Sequence, residues 1–127
     1  MQIWTIQLSA WRLAKQADIE IVNITAKSGE KCFAPEFQFV MEYKQGVISE
    51  LTYTERYLTR MRESFRHYPR EWEKLKGKGK VAYACYCQPN KFCHRHLFVS
   101  MLTKYFDAEN VTYELMGELT RESLPTA

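Results

Sequence analysis

The sequence predicts one small α/β domain over residues 1–127, a three-layer fold whose mainly parallel sheet has about four strands. Four short apolar runs have the length of strands, and the segments between them carry apolar residues at helical spacing. Connections of that length join strands in parallel, so helices should cover the faces of the sheet. A chain of 127 residues with 46% apolar content is long enough to bury a core without disulfides or a bound metal ion.

The first half of the chain predicts two strands, two helices and a long loop. Alternating apolar residues predict strands over 3–8 and 19–25, with a short helix over 10–17 between them. Residues 26–35 have no clear periodicity and follow the second strand, so we expect a long loop there. A helix should follow over 36–44, with a proline just before it and a glycine after it.

A longer helix should begin near Ser49 or Thr52, both of which can cap it. Its residues include an apolar stripe that we interpret as core packing: Tyr53, Tyr57, Leu58, Met61 and Phe65. A turn or short helix should start at Pro69, before a flexible break over 77–79.

The last part of the chain predicts a third strand over 81–84 and a helix that runs to about Phe106. Residues 111–116 have the β-branched and aromatic content of a final strand. The tail from Gly117 onward is expected to be frayed.

Composition and charge narrow the class of protein. There is no apolar run of roughly 20 residues and no signal-peptide pattern at the start, so we expect no membrane partner and a cytoplasmic location. Four cysteines in that reducing compartment indicate free thiols or site residues. The segment 56–80 holds nine basic residues against three acidic ones, but no nucleic-acid motif accompanies it, so nucleic-acid binding is not predicted. A homodimer is compatible with the sequence.

The segment 85–96, CYCQPNKFCHRH, concentrates the reactive side chains. It holds three of the four cysteines and two of the three histidines, between the third strand and the next helix. Ligands bind beyond the carboxyl ends of parallel strands, where the loops after the first two strands should also meet. This edge of the sheet is therefore the predicted site.

These residues resemble the signature of the domain of unknown function 488 (DUF488) family, small Rossmann-like α/β proteins. The resemblance is carried by Cys85-Tyr86 and by Cys93-His94-Arg95-His96, and extends to the opening strand at 3–6 and the segments 43–49 and 53–57. The chain resembles especially the compact members carried by bacteriophages, and the resemblance implies a fold rather than a general activity. Cys87 stands where family members often carry an acidic residue.

A metal site is one chemistry that the segment allows. The thiolate and imidazole donors that suit zinc are Cys85, Cys87, Cys93, His94 and His96. Strand and helix geometry lets at most about three or four of them converge, and the Cys-x-Cys spacing is tighter than that of structural zinc sites. The sequence therefore predicts no cofactor and no metal, with zinc as the alternative.

A nucleophile is the second chemistry. Cys93 should begin a helix beside His94 and Arg95, where the helix dipole and the cations favour a thiolate. His94 or His96 could carry protons, but the sequence identifies no orienting carboxylate. Cys93 and His94 are the candidate catalytic residues.

Ligand binding is the third chemistry, and it needs only convergent donors and a stacking surface. Arg95 and the amides that begin the helix suit an anionic group, and aromatic residues could stack on a base. The candidate ligand-binding residues are Ser9, Trp11, Lys27, Ser28, Gly29, Phe33, Cys87, Phe92, Arg95 and His96. No dinucleotide or Walker fingerprint is present.

We predict that the protein binds a small anionic, nucleotide-derived molecule, and that a phage-type member could use such binding to sequester a nucleotide signal of host immunity. The alternative is a cysteine-dependent enzyme that acts on a nucleotide or nucleoside with Cys93 as its nucleophile. An equally simple role for Arg95 is to pair with a buried carboxylate and order the loop.

Overall fold

The computed structural model describes residues 1–89 and 91–124. In these residues the strands are β1 (Gln2–Gln7), β2 (Glu20–Asn23), β3 (Lys80–Cys85) and β4 (Glu114–Glu118). The α-helices are α1 (Trp11–Gln16), α2 (Phe37–Lys44), α3 (Glu50–His67), α4 (Pro69–Lys74) and α5 (His94–Ala108). None of the helices in this part of the chain is long and apolar enough to cross a bilayer.

All four described strands run parallel in the order β2-β3-β1-β4, which confirms the predicted α/β fold. The helical crossovers between strands explain the parallel pairing, because a short turn could not return the chain to the same edge. The carboxyl ends of β2 and β3 are neighbours, and the loops that leave them rise on the same edge of the sheet.

The side chains of β1, β2 and β3 alternate between two apolar cores. On β3, Val81 and Tyr83 pack toward α3 and α5, whereas Ala82 and Ala84 face the other side with Trp4. The first core lies under the helices α2 to α5, and the second lies under α1 and the chain around Leu119. The sheet is thus the middle of three layers.

The end of the chain differs from its prediction. We expected the last strand over 111–116 and fraying from Gly117, but β4 extends to Glu118 and Leu119 is 1% exposed. Gly117 adopts a φ of 85° where the pairing of β1 with β4 shifts register. A glycine permits this backbone conformation, which turns Glu118 toward the protein. Residues 125–127, which belong to the same expected tail, lie outside the described residues.

Candidate ligand-binding site

A cavity of about 1010 Å³ lies at the carboxyl edge of β2 and β3. Its floor is formed by the loop after β2, the end of β3 and the start of α5, and its wall is formed by α2 and α3. We call it the aromatic cavity. The lining side chains that matter below are Lys27, Tyr43, Lys44, Tyr53, Cys85, Cys87, Lys91, Phe92, Cys93 and His94.

Three rings form a fixed wall of the aromatic cavity. Tyr43, Tyr53 and Phe92 contact one another with ring centroids 5.3 to 5.4 Å apart, in tilted and edge-to-face arrangements. Phe39 supports Tyr53 from the core with an edge contact at 5.2 Å. Rings held on several sides present a preformed apolar surface, on which a flat ligand can pack without reordering the wall.

The rim of the aromatic cavity is cationic. Lys27, Lys44 and Lys91 are exposed residues of the lining, and Glu50 is the acidic residue that accompanies them. The Glu50 carboxylate accepts a hydrogen bond from Tyr43 at 3.2 Å. Three cations against one carboxylate give the opening a positive potential, which draws in anions.

His94 lies at the floor, 5% exposed, with both ring nitrogens engaged. Its Nε2 is 2.6 Å from the carbonyl oxygen of Ile24, and because a carbonyl only accepts, Nε2 carries the hydrogen. Burial lowers the pKa of His94 to about 4, so the ring is neutral and Nδ1 presents a lone pair. The Tyr53 hydroxyl donates to Nδ1 at 3.3 Å, and Cys93 Sγ lies 3.7 Å from the same atom.

Cys85 and Cys93 are both almost fully buried, and their sulfur atoms are in bonding contact. Cys85 ends β3 and Cys93 immediately precedes α5, with Cα atoms 7.8 Å apart. The two sulfur atoms, one of them that of the predicted nucleophile Cys93, therefore lie together at the floor.

Arg95 lies differently from our expectation that it would hold a ligand. The residue is 0% exposed, and Nη1 donates to Cys85 Sγ at 2.7 Å and to the Cys87 carbonyl at 2.9 Å. Nη2 donates to the Gln88 carbonyl, and Nε and Nη2 both donate to the Glu118 carboxylate at 3.3 Å. With its donors occupied by protein groups, the guanidinium orders the loop after β3 and is shielded from solutes.

Several other predicted ligand residues do not reach the aromatic cavity. Ser9 is exposed beyond β1, Trp11 lines a groove beside α1, and His96 is exposed and does not line the cavity. Phe33 is 3% exposed and packs between Trp72 and Phe98 in the core. The loop after β1 therefore contributes no residue to the lining of the aromatic cavity, where three loops were predicted to meet.

Ser28 and Gly29 shape the loop after β2 instead of lining the aromatic cavity. A Cβ at Gly29 would lie 2.3 Å from the Thr25 nitrogen, so this tight turn excludes a side chain. The Ser28 hydroxyl lies 2.9 Å from the Thr25 hydroxyl and 3.2 Å from that of Tyr86. Through Tyr86 the turn is tied to the loop after β3.

Five predicted residues do line the aromatic cavity, namely Lys27, Cys87, Phe92, Cys93 and His94. Sequence reasoning missed the contribution of α2 and α3, because Tyr53 belongs to a stripe that we interpreted as core packing. Tyr53 is indeed 3% exposed, but its hydroxyl faces the floor. Tyrosine in place of phenylalanine within an apolar stripe was the available signal, since a buried hydroxyl needs a partner.

A family model described as the active DUF488-N3 subclade matches residues 7–106. The matched region contains both loops of the floor, the wall helices and the whole CYCQPNKFCHRH segment, but not β4. No curated protein and no solved structure matches the chain.

Proposed function

The chain belongs to the DUF488 family, and from that premise we propose that it binds a small anionic, nucleotide-derived ligand in the aromatic cavity. The observation that carries the proposal is the combination of one aromatic wall and one cationic rim around a single space. A base packs against Tyr43 and Phe92, and its phosphate groups approach the three lysines. Stacking on aromatic rings and attraction to lysines are the usual means of holding a nucleotide without a glycine-rich fingerprint.

In this proposal, the lysines of the rim bind the anionic groups of the ligand, a role that the sequence analysis gave to Arg95. Lys44 is the last residue of α2 and Lys91 belongs to the loop after β3, so the two lysines approach the opening from different elements. Lys27 stacks over Phe37 with its Nζ 5.0 Å from the ring centroid, which holds its charge near the opening. A ligand with separated anionic groups matches this spread of charge.

Binding is measured by isothermal calorimetry with a panel of nucleoside monophosphates, nucleoside diphosphates and cyclic dinucleotides. We expect Lys91→Ala and Lys44→Ala each to weaken the binding of the best nucleotide by about tenfold, the loss of one charge-assisted contact. Lys104→Ala, which removes an exposed charge of α5 outside the lining, is the matched control. If all three variants bound the nucleotide with equal affinity, the proposed role of the cationic rim in binding would be refuted.

Sequestration of a nucleotide signal is the biological use that we propose for such binding. The burial of Cys93, which is 3% exposed, supports binding over turnover, because a ligand in the aromatic cavity has little access to its sulfur. After incubation with a bound nucleotide and denaturation of the protein, mass spectrometry should recover the nucleotide unchanged. Recovery of a converted product would exclude simple sequestration.

A cysteine-dependent enzyme is the second candidate, and the 3.7 Å approach of Cys93 Sγ to His94 Nδ1 favours it. The Ile24 carbonyl holds the imidazole by Nε2 and takes the place of the orienting carboxylate that we could not find in the sequence. In this reaction Cys93 is reduced: Nδ1 accepts its thiol proton as Sγ attacks a phosphoryl group of the nucleotide, the bond from phosphorus to the leaving oxygen breaks, and that oxygen takes the proton from Nδ1. Water then hydrolyses the sulfur–phosphorus bond and restores the thiol. Cys93→Ala should then abolish conversion of a nucleotide while leaving its binding intact. Conversion of the nucleotide by this variant would exclude Cys93 as the nucleophile.

A further inference from the structure

We propose that Cys85, Cys93 and His94 bind a transition-metal ion of zinc-like preference at the floor of the aromatic cavity. The two sulfur atoms and a ring nitrogen of His94 all lie within 4.8 Å of one another. All three residues are buried, and they come from two rigid elements, the end of β3 and the start of α5. We call them the thiol-imidazole cluster. Two soft thiolates with one imidazole are a preferred donor set for zinc.

The orientation of His94 suits a metal ligand. A ligating imidazole normally donates its other nitrogen to a carbonyl or carboxylate, which fixes the ring and its tautomer. The hydrogen bond from Nε2 to the Ile24 carbonyl at 2.6 Å provides this support and leaves the Nδ1 lone pair directed at the cluster. The Tyr53 hydroxyl now donates to that lone pair and would release it to a metal.

The backbone spacing of the cysteines suits a bridging ion better than a direct bond. Their Cα atoms are 7.8 Å apart, whereas disulfides join cysteines with Cα atoms about 4.4 to 6.8 Å apart. Two zinc–sulfur bonds of about 2.3 Å at a tetrahedral angle separate the sulfurs by about 3.8 Å. The wide spacing accommodates that separation by small side-chain rotations.

The charges of the thiol-imidazole cluster also balance when a divalent ion is bound. Two thiolates neutralise the ion, and Arg95, which donates to Cys85 Sγ at 2.7 Å, is itself paired with Glu118. No excess charge is therefore left in the buried floor. All three ligands line the aromatic cavity, so the fourth coordination position opens toward it and can accept water or an anionic group.

The metal site is tested on the full-length protein after chelation under reducing conditions, with Co²⁺ as the spectroscopic probe and Zn²⁺ as competitor. We expect one equivalent of Co²⁺ to give a thiolate-to-cobalt charge-transfer band, and Zn²⁺ to displace it. Cys85→Ser and Cys93→Ser should each weaken Zn²⁺ binding by at least about a hundredfold and diminish the band, and His94→Gln should alter the visible bands of tetrahedral cobalt.

Cys32→Ser is the matched control, because Cys32 lies in the loop after β2 outside the cluster and should leave the spectrum unchanged. Circular dichroism confirms that each variant is folded. Failure to bind one equivalent, or an unchanged band in both Cys85→Ser and Cys93→Ser, would overturn the proposal.

These titrations contain no nucleotide, whereas the lysine variants are tested on metal-free protein, so either proposal can fail without the other. A bound metal also blocks Cys93 as a nucleophile, so metal-dependent protection of Cys93 from alkylation separates this site from the cysteine enzyme.

Discussion

Arg95 organises the site from beneath it. Its five hydrogen bonds connect β3, the loop after it and β4, and each acceptor is a protein group. A fully buried guanidinium remains stable only when its donors are satisfied and a counter-charge is close, which Glu118 supplies. The residue that we expected to contact a ligand therefore orders the loop after β3, which lines the aromatic cavity.

Replacing Arg95 with methionine should lower the free energy of unfolding by about 3 to 5 kcal/mol, because Glu118 is left charged and unpaired. Urea denaturation followed by circular dichroism measures the change. Arg62→Met is the control, since this exposed arginine of α3 should alter stability by less than about 0.5 kcal/mol. Similar losses in both variants would contradict the role of Arg95.

Tyr53→Phe tests the hydroxyl at the floor of the aromatic cavity. The variant keeps the ring and removes a hydrogen bond to His94 Nδ1, so we expect a loss of about 0.5 to 1.5 kcal/mol in unfolding free energy. If the thiol-imidazole cluster binds metal, the freed lone pair should also leave Zn²⁺ affinity equal or higher. A lower Zn²⁺ affinity in a folded Tyr53→Phe protein would mean that the hydroxyl assists binding.

Single residues also show which contacts could be predicted from the sequence and which could not. The composition of the CYCQPNKFCHRH segment was sufficient to place Cys93 and His94 at the carboxyl edge of the sheet, because the residue types and the strand end are local features. The partner of Arg95 was not predictable in the same way, since Glu118 lies 23 residues further along the chain. Periodicity assigned Tyr53 to a buried face, but it cannot say which atom a buried hydroxyl will meet.

At the scale of elements, the structure decides between the two caps that the sequence proposed for α3, Ser49 and Thr52, in favour of Ser49. The Ser49 hydroxyl accepts a hydrogen bond from the Thr52 backbone nitrogen at 3.1 Å, and Ser49 is the N-cap. Ser49→Ala should cost about 1 kcal/mol of stability, whereas Ser49→Asp should retain the cap. Urea midpoints of both variants measure the effect, and an unchanged Ser49→Ala protein would show that the cap is dispensable.

The bulge in β4, where the pairing with β1 shifts register, is a second element-scale feature that depends on one residue. Gly117 has a φ of 85°, a conformation that costs an L-residue roughly 1 to 2 kcal/mol. Gly117→Ala should therefore destabilise the protein, and it should also loosen the Glu118 contact that follows. Gly77→Ala, at a position with open space and no positive φ, is the control and should be neutral or slightly stabilising in thermal denaturation.

The predicted strands were most accurate where short apolar runs are buried, as in β1 and β3, and least accurate at β4. The sequence Met-Gly-Glu-Leu at 116–119 has the composition of a turn, so its local pattern favoured a frayed tail. Pairing with β1 overrides that preference and extends the strand. Tertiary pairing of this kind leaves no local signal.

For the whole molecule, the two apolar cores on either side of the sheet should suffice for stability without a covalent link. We expect a reducing agent to change the unfolding free energy of metal-free protein by less than about 0.5 kcal/mol. A stabilising disulfide would instead contribute about 2 to 4 kcal/mol. Urea denaturation with and without reductant distinguishes the two, with Cys85→Ser as the control that cannot form the bond.

The pairing of Arg95 with Glu118 also has a consequence for biosynthesis. A ribosome adds about 5 to 20 residues per second, so the carboxylate emerges roughly one to five seconds after the guanidinium that it neutralises. During that interval the nascent chain already carries both cysteines of the floor, but their supporting loop lacks its counter-charge. The buried charge beneath the floor of the aromatic cavity is therefore neutralised only after β4 has joined the sheet.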